Sequence, residues 1–359
     1  MANLKHVEIL AKGIDFWNKW RQSNKGTRPD LSDLDISSLC SKFKSLAGFD
    51  FSATNFSKSN LSGLHFGKYS ENITAQQRPA RPGPATFPGD EIIHVQAANL
   101  SGAIFILSNV SNTNLSYCNL EQASFGGTNL KNSILDYANI SRTEFRMCDL
   151  TKTSLKCITA SSVNFSDINM ERAQFIHSFF QNSIFYKVKF FNTALASTEF
   201  QNNYFENVSF INTEFQIKDV MSFGPVKSYR IMMNNSFLSV VFESVNLCEY
   251  NIKNSSFKET VFKNCSLQST DISSSTLIAV EFINSNIQDI KFKNFKTCQY
   301  VRCNNCYGSR NFIRHVSSES IISEIKQQNY LFYFLWKILS DCGRSFNRLL
   351  LFVLLIILR

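Results

Sequence analysis

From Leu100 to Val220 every fifth residue is apolar. The series runs Leu100, Phe105, Val110, Leu115, Leu120, Phe125, Leu130, Leu135, Ile140, Phe145, Leu150, Leu155, Ala160, Phe165, Met170, Phe175, Phe180, Phe185, Phe190, Leu195, Phe200, Phe205, Phe210, Phe215 and Val220, and only Ala160 is small. Two residues ahead lies a second, mostly small series that includes Ala98, Ala103, Ser108, Thr113, Cys118, Ala123 and Thr128. A helix repeats every 3.6 residues and an ordinary strand every two, so neither produces a period of five over more than a hundred residues. A chain built this way is a repeat architecture, in which a large and a small residue alternate inward.

The segments "AANLSGAIF" (97–105) and "TNLSYCNLEQASF" (113–125) carry the unit most clearly: a small residue, Asn, Leu or Phe, then two mostly polar positions. They resemble the pentapeptide-repeat family. That resemblance implies an all-β solenoid, a right-handed quadrilateral β-helix in which four pentapeptides make one square turn. The large and small residues then face inward and the other three outward. Two further blocks keep the pattern. The first holds Leu31, Ile36, Leu46, Phe51, Phe56, Leu61 and Phe66 with Ser41 as its weak member, and the last runs Phe237, Phe242, Leu247, Ile252, Phe257, Phe262, Leu267, Ile272, Leu277, Phe282, Ile287 and Phe292. Eight, twenty-five and twelve units at four per turn and normal strand spacing give a rod of roughly 11 turns and about 50 Å.

The organisation read from these blocks is a helical cap (1–28), repeats (29–66), a Pro-rich loop (67–96), repeats (97–220), an interruption (221–236), repeats (237–297), a Cys-containing connector (298–316) and a helical cap with an apolar tail (317–359). The loop holds Pro79, Pro82, Pro84 and Pro88, and proline cannot donate to a ladder. At the interruption Val220 and Phe237 stand 17 apart, not a multiple of five, so the rod bulges or hinges there.

Solenoid ends expose unpaired edges and need covers. Val7, Leu10, Ile14 and Trp17 share one helical face with Trp20 beside it, and the stretch resembles the leader ahead of many bacterial pentapeptide repeats. Near the C-terminus, Ile321, Ile325, Phe332, Leu335 and Leu339 make a second amphipathic face. Beyond Gly343 comes an apolar run of ten, Leu349–Leu358, which includes Leu350, Leu351 and Phe352 and follows Arg344 and Arg348. Ten residues rise about 15 Å, short of the ~20 residues that span a bilayer. The stretch "DCGRSFNRLLLFVLLIIL" (341–358) resembles the junction in bacterial proteins where a cytoplasmic repeat domain meets transmembrane or ion-channel helices, and departs from it at Cys342. Two readings stay open: shallow anchoring at an anionic membrane surface, and a buried C-terminal cap helix.

Charge narrows the partners. The net is +9, yet residues 98–220 carry nine basic and ten acidic residues, residues 237–297 six of each, and residues 298–359 eight basic and three acidic. The rod is nearly neutral, so nucleic acid is not an expected partner. The family resemblance also brings in DNA mimicry by acidic rods that bind gyrase, for which a neutral rod is a poor fit. Cys298, Cys303, Cys306 and His315 are weak candidates for a structural zinc, lacking paired C-x2-C knuckles. Cys118, Cys148 and Cys265 stand in the small inward series as fillers. No phosphate-binding loop, nucleophile motif or metalloprotease helix occurs, so we expect no catalytic residues, cofactor or small-molecule substrate. Ten cysteines without a dense framework, and no secretory leader at Met1–Leu10, point to a reducing compartment, the bacterial cytoplasm or the cytoplasmic face of the inner membrane. The expected function is a non-enzymatic scaffold that binds a protein partner, with a membrane surface as a second contact; the alternatives are the truncated cytoplasmic part of a channel or transport protein and a secreted effector.

Overall fold

The computed structural model describes residues 1–40, 45–67, 97–215, 230–308 and 312–316. Across them the chain is a parallel β-solenoid, with helices only near its two ends. Phe125 pairs with Phe145, Phe145 with Phe165, Phe165 with Phe185 and Phe185 with Phe205, each in parallel register. Each step is 20 residues, so sides of five residues make a four-sided turn (20/5 = 4).

In chain order, side 1 carries Leu31, Phe56, Phe105 and Phe125, and side 2 Ile36, Leu61, Val110 and Leu130. Side 3 carries Leu46, Phe66, Leu115 and Leu135, and side 4 Phe51, Leu100, Leu120 and Ile140. Backbone groups are satisfied by the turns above and below: Phe105 N–H donates to Ser124 O, and Ser124 N–H to Ala103 O. The large residues stack into ladders along the axis. On side 1 the rings of Phe105, Phe125, Phe145, Phe165, Phe185, Phe205, Phe237 and Phe257 lie face to face at 4.6–5.2 Å. Strand spacing sets that separation, so aromatic stacking costs the backbone nothing and adds roughly 0.5–1.5 kcal/mol per pair to burial.

The corner residue, two after each large one, has left-handed backbone. Asn112, Asn132, Asn182, Asn202, Asn212, Asn264 and Asn284 lie there at φ between 49° and 58°. Asn, Asp and Gly reach this region most easily, and a branched Cβ clashes in it. Thirty-nine non-glycine residues take positive φ among those described, and none is Val, Ile or Thr. The corner position is thus selected for its backbone, beyond its being polar.

The small inward position is also more than filler. Thr143 Oγ1 donates to Leu120 O at 2.8 Å, Thr153 Oγ1 to Leu130 O at 2.8 Å, Ser178 Oγ to Leu155 O at 2.8 Å and Thr270 Oγ1 to Leu247 O at 2.7 Å. Each hydroxyl ties the start of one side to the carbonyl 23 residues earlier, on the turn below.

Three breaks in the period obey the same geometry. Ile36 pairs through its neighbours with Leu61, 25 residues on instead of 20, so the pentapeptide containing Ser41 is an addition to the side and not a side of its own; Ser41 itself lies outside the described residues. Phe56 precedes Phe105 by 49, which places 29 additional residues (49 − 20) between Phe66 and Ala98. Phe205 pairs with Phe237 and Phe210 with Phe242, an offset of 32, so 12 additional residues (32 − 20) enter the second interruption. Met232, fully buried, already occupies the inward position of side 4, so the coil resumes ahead of the expected boundary at 236. Val220 and most of the loop at 67–96 fall outside the described residues.

The ends differ from expectation as well. The N-terminal cap is two helices, α1 (Leu4–Ala11) and α2 (Ile14–Ser23), broken at Gly13, whose φ of 97° stops a single helix. Leu10 and Trp17 are buried, but Ile14 is 37% exposed, because the break rotates it off the shared face. Trp17 lies 5.3 Å from the Phe51 ring, and its Nε1–H donates to Asp50 O. At the other end the residues expected as a connector form three more sides: Leu277 pairs with Cys298, Phe282 with Cys303 and Ile287 with Gly308. These offsets are 21, one residue more than a turn, which hid the continuation from a count by fives. A Cβ on Gly308 would sit 2.3 Å from Gln288 N, so no larger residue fits this last rung. The helical turn at 312–316 then covers the end, with Phe312 fully buried against Phe282 and Phe292. The cap helix expected from Ile321 to Leu339 and the tail with Arg344, Arg348, Leu349, Leu350, Leu351 and Phe352 lie outside the described residues.

Candidate functional site

The residue before each large one faces outward and is often Asn or Asp. Its Oδ1 accepts the backbone N–H two residues on, as at Asn60 to Ser62, Asn109 to Ser111 and Asn129 to Lys131. Its Nδ2 donates to the carboxamide or carboxylate one turn below, giving the ladder Asp35, Asn60, Asn109, Asn129 on side 2 at 3.0–3.2 Å. A second ladder, Asp50, Asn99, Asn119, Asn139, runs up side 4. Beside the first, Asn132 Nδ2 donates to Asn112 Oδ1 at 3.1 Å, so side 2 presents two parallel amide rows. Asn60, Asn109 and Asn129 are held at both ends of the amide and Asn112 and Asn132 by the one bond between them, which limits rotamer freedom before any partner arrives.

Charged side chains on the surface pair across turns. Arg142 meets Glu121 at 3.0 Å, Lys187 meets Asp167 at 4.0 Å, Lys263 meets Glu243 at 2.9 Å and Arg302 meets Glu281 at 3.6 Å. Exposed pairs of this kind add little stability, but they cancel field. Tyr117 and Tyr137 stack at 4.8 Å on the side 3 corner. Burial raises the Tyr117 phenol, with Cys157 and Asp136 nearby adding to it.

The inward residues singled out from sequence, Leu100, Phe105, Leu115, Leu120, Phe125, Leu130, Phe145, Phe165, Phe175, Phe185, Phe205, Phe215, Phe242, Phe257, Phe262 and Phe282, are all at most 2% exposed. They form the packed interior. A groove of about 380 Å³ lies open on the corner between sides 4 and 1, lined by Asn202, Tyr204, Asn234 and Lys296 among others. Beneath it, buried Asn203 and Asn235 stand in the small series. Asn203 Nδ2 donates to Phe180 O and Asn235 Nδ2 to Phe200 O, both at 2.9 Å, and each Oδ1 accepts a backbone N–H from the preceding turn. Tyr250 replaces the small residue on side 4 after the second interruption, and its hydroxyl donates to Phe215 O at 2.9 Å. Its offset of 35 is the usual 23 plus the 12 inserted residues. The reading by large residues alone missed all three, though each breaks the small series visibly.

Buried Arg21 was missed too. Its guanidinium donates to Thr27 O and to Ser52 O and Oγ, and it lies 3.8 Å from Asp50, so it fastens α2 to the first turn.

The four zinc candidates do not converge. Among the described residues no three His, Cys, Asp or Glu side chains come together around a metal position. His315 stacks on Phe295 and lies tilted against Phe292 at the coil's end, while Cys298 is buried on side 1. Cys303 and Cys306 flank one corner of the last coil: Cys303 pairs in register with Phe282, and Cys306 Sγ lies 3.2 Å from Phe282 O. In the small series, burial lifts the Cys118 thiol well above its ordinary value and pushes Cys148 and Cys265 up to about 11. Among the described residues no helix is long and apolar enough to cross a membrane.

The family model described as "Pentapeptide repeats" matches residues 96–132 and 113–151. Among solved structures, the chain is similar to HetL, a pentapeptide-repeat protein involved in heterocyst differentiation regulation in the cyanobacterium Nostoc, at 12% identity over 76% of this chain and 92% of HetL (TM-score 0.31). It is also similar to QnrB1, a plasmid-mediated fluoroquinolone resistance protein, at 13% identity over 50% of this chain and 88% of that one (TM-score 0.29). The A-module of the Azotobacter vinelandii mannuronan C-5 epimerase AlgE4 matches at 8% identity over 73% and 88% (TM-score 0.32). No curated protein matches significantly. At these identities and scores the three structures say nothing of what this chain binds. The five-residue unit, wound four sides to the turn, makes the chain a pentapeptide-repeat protein.

Proposed function

We propose that the chain is a non-enzymatic rod that binds a protein partner along its outer surface. The observation that carries this is the doubled amide row of side 2, Asn109 and Asn129 beside Asn112 and Asn132. It repeats with the strand spacing, and hydrogen bonds between turns already tie both rows. A partner that lays an extended segment or a regular surface along it loses little further side-chain entropy on binding. The paired charges across turns support a protein partner over nucleic acid and over imitation of a phosphate backbone.

The reading also places the rod at the cytoplasmic face of a bacterial membrane, supported by the ten-residue apolar run 349–358 behind Arg344 and Arg348. Site-specific photo-crosslinkers at positions 112, 132, 139 and 207 in the full chain test the first part. Crosslinks to one protein from 112 and 132, and not from the other two, are expected, and Asn132→Arg should lower them at least tenfold. Equal capture from all four positions would overturn the reading. Fractionation tests the second part: the tagged chain should leave membranes with mild detergent, and recovery in the soluble fraction alone refutes attachment.

A further inference from the structure

Cys306 occupies the same inward position as Cys148 and Cys265, with its sulfur against the carbonyl of the turn below. Yet its thiol is shifted the opposite way. Among the described residues no thiol contributes at Cys148 or Cys265, and desolvation raises both. Cys306 has Cys303, which donates its S–H and stabilises the ionised sulfur, with further help from the backbone of Ser285 and Asn304; its value is lowered to about 7. Cys303 is raised in turn, first by that hydrogen bond, then by burial and by the neighbouring Cys306 and Cys298. Protonated, Cys306 donates to Phe282 O; ionised, it accepts from Cys303.

The arrangement follows from the winding. Cys303 is the large residue of side 2 in the final coil and Cys306 the small residue of side 3, so one corner turns both sulfurs inward. Lower in the coil such positions are sealed by the next turn. At this end the coil stops at Gly308, and both cysteines are only partly buried.

We propose that Cys303 and Cys306 are a reversible redox site, in which Cys306 attacks a low-molecular-weight disulfide and Cys303 resolves the product. In the first step the Cys306 thiolate forms a bond to one sulfur of a disulfide such as oxidised glutathione, and one glutathione thiolate leaves. In the second, Cys303 gives its proton to solvent and attacks Cys306 Sγ, and the second glutathione thiolate leaves. Two protein thiols are oxidised and one disulfide is reduced to two thiols. The two thiols stand three residues apart around one corner, with Cys306 Sγ 3.2 Å from the carbonyl of the rung under Cys303, so closing to the ~2.05 Å of a disulfide takes side-chain rotation and no rewinding of the coil. The cross-link ties the last two sides of the rod together.

The test is the full-length chain, reduced, freed of reductant and treated with oxidised glutathione at neutral pH. The expected product has lost two hydrogens and yields a peptide joining residues 303 and 306. Its formation should be about fivefold faster than glutathionylation of an ordinary exposed thiol, the net of more thiolate and lower nucleophilicity. Cys303→Ser should accumulate glutathione on Cys306, and Cys306→Ser should leave Cys303 unmodified, with Cys148 and Cys265 unmodified throughout. Wild-type chain that keeps both thiols, or that links other cysteines, overturns the proposal; this readout needs no variant to fold.

Discussion

The corner residue is where single positions matter most for this backbone. Asn is common there, but Leu107, Tyr117, Met147 and Lys152 also hold φ of 52–62°, each against a steric preference. Left-handed backbone costs a non-glycine residue roughly 1–2 kcal/mol, and more when its Cβ is branched. Lys152 is exposed, and the corner backbone is the feature that constrains it, so it isolates the effect. Lys152→Gly should raise the denaturant midpoint and Lys152→Val lower it, the pair differing by about 2 kcal/mol. Equal tolerance of Val and Gly would show that the corner is not under steric selection. From sequence this position looked merely polar, because polarity and left-handed tolerance coincide in Asn and Asp.

At the scale of elements, the N-terminal cap is held by few groups. Trp17 is fully buried against Phe51 and Trp20, and Arg21 satisfies three acceptors of the first turn and the loop behind it. Removing a buried tryptophan costs about 3–5 kcal/mol. Because a solenoid's units couple mainly to their neighbours, that loss should stay at the end it touches. Trp17→Ala should therefore unprotect the amides of α1 and α2 in hydrogen exchange while those of Phe125–Phe205 keep their protection. It should also promote self-association, since the first turn's edge is uncovered. Unchanged protection of the cap amides would mean that another contact secures it. The apolar face of the cap was legible in the sequence; the role of Arg21 was not, since its acceptors are the Thr27 carbonyl and the carbonyl and hydroxyl of Ser52, which only the fold brings together.

For the whole molecule, register is the quantity that is conserved along the axis. The coil accepts 5, 12 and 29 additional residues on its sides and still returns every large residue to its ladder. An insertion therefore need not be a multiple of five; it must only leave and re-enter at the same rung. Deleting residues 218–229, twelve in all, joins the Phe215 side directly to Arg230 and restores the 20-residue offset between Phe200 and Met232. We expect that variant to keep its circular dichroism and a melting temperature within a few degrees of wild type. Deleting thirteen residues (218–230) instead leaves an offset of 19, one short of a turn, and should turn the following side's large residue outward and unfold that turn, a contrast that fails if both deletions behave alike.

The five-residue period determined which residues face inward, because inward and outward positions are set by local spacing; the resemblance of the unit to pentapeptide repeats implied the solenoid, and the count of charges its near-neutral surface. Which rung follows which was decided only in three dimensions. The offsets of 25, 32 and 49, the three sides that continue to Gly308, and the meeting of Cys303 with Cys306 at one corner depend on pairing between turns. That pairing ignores how many residues leave the coil between two rungs, so no count along the chain could reach it.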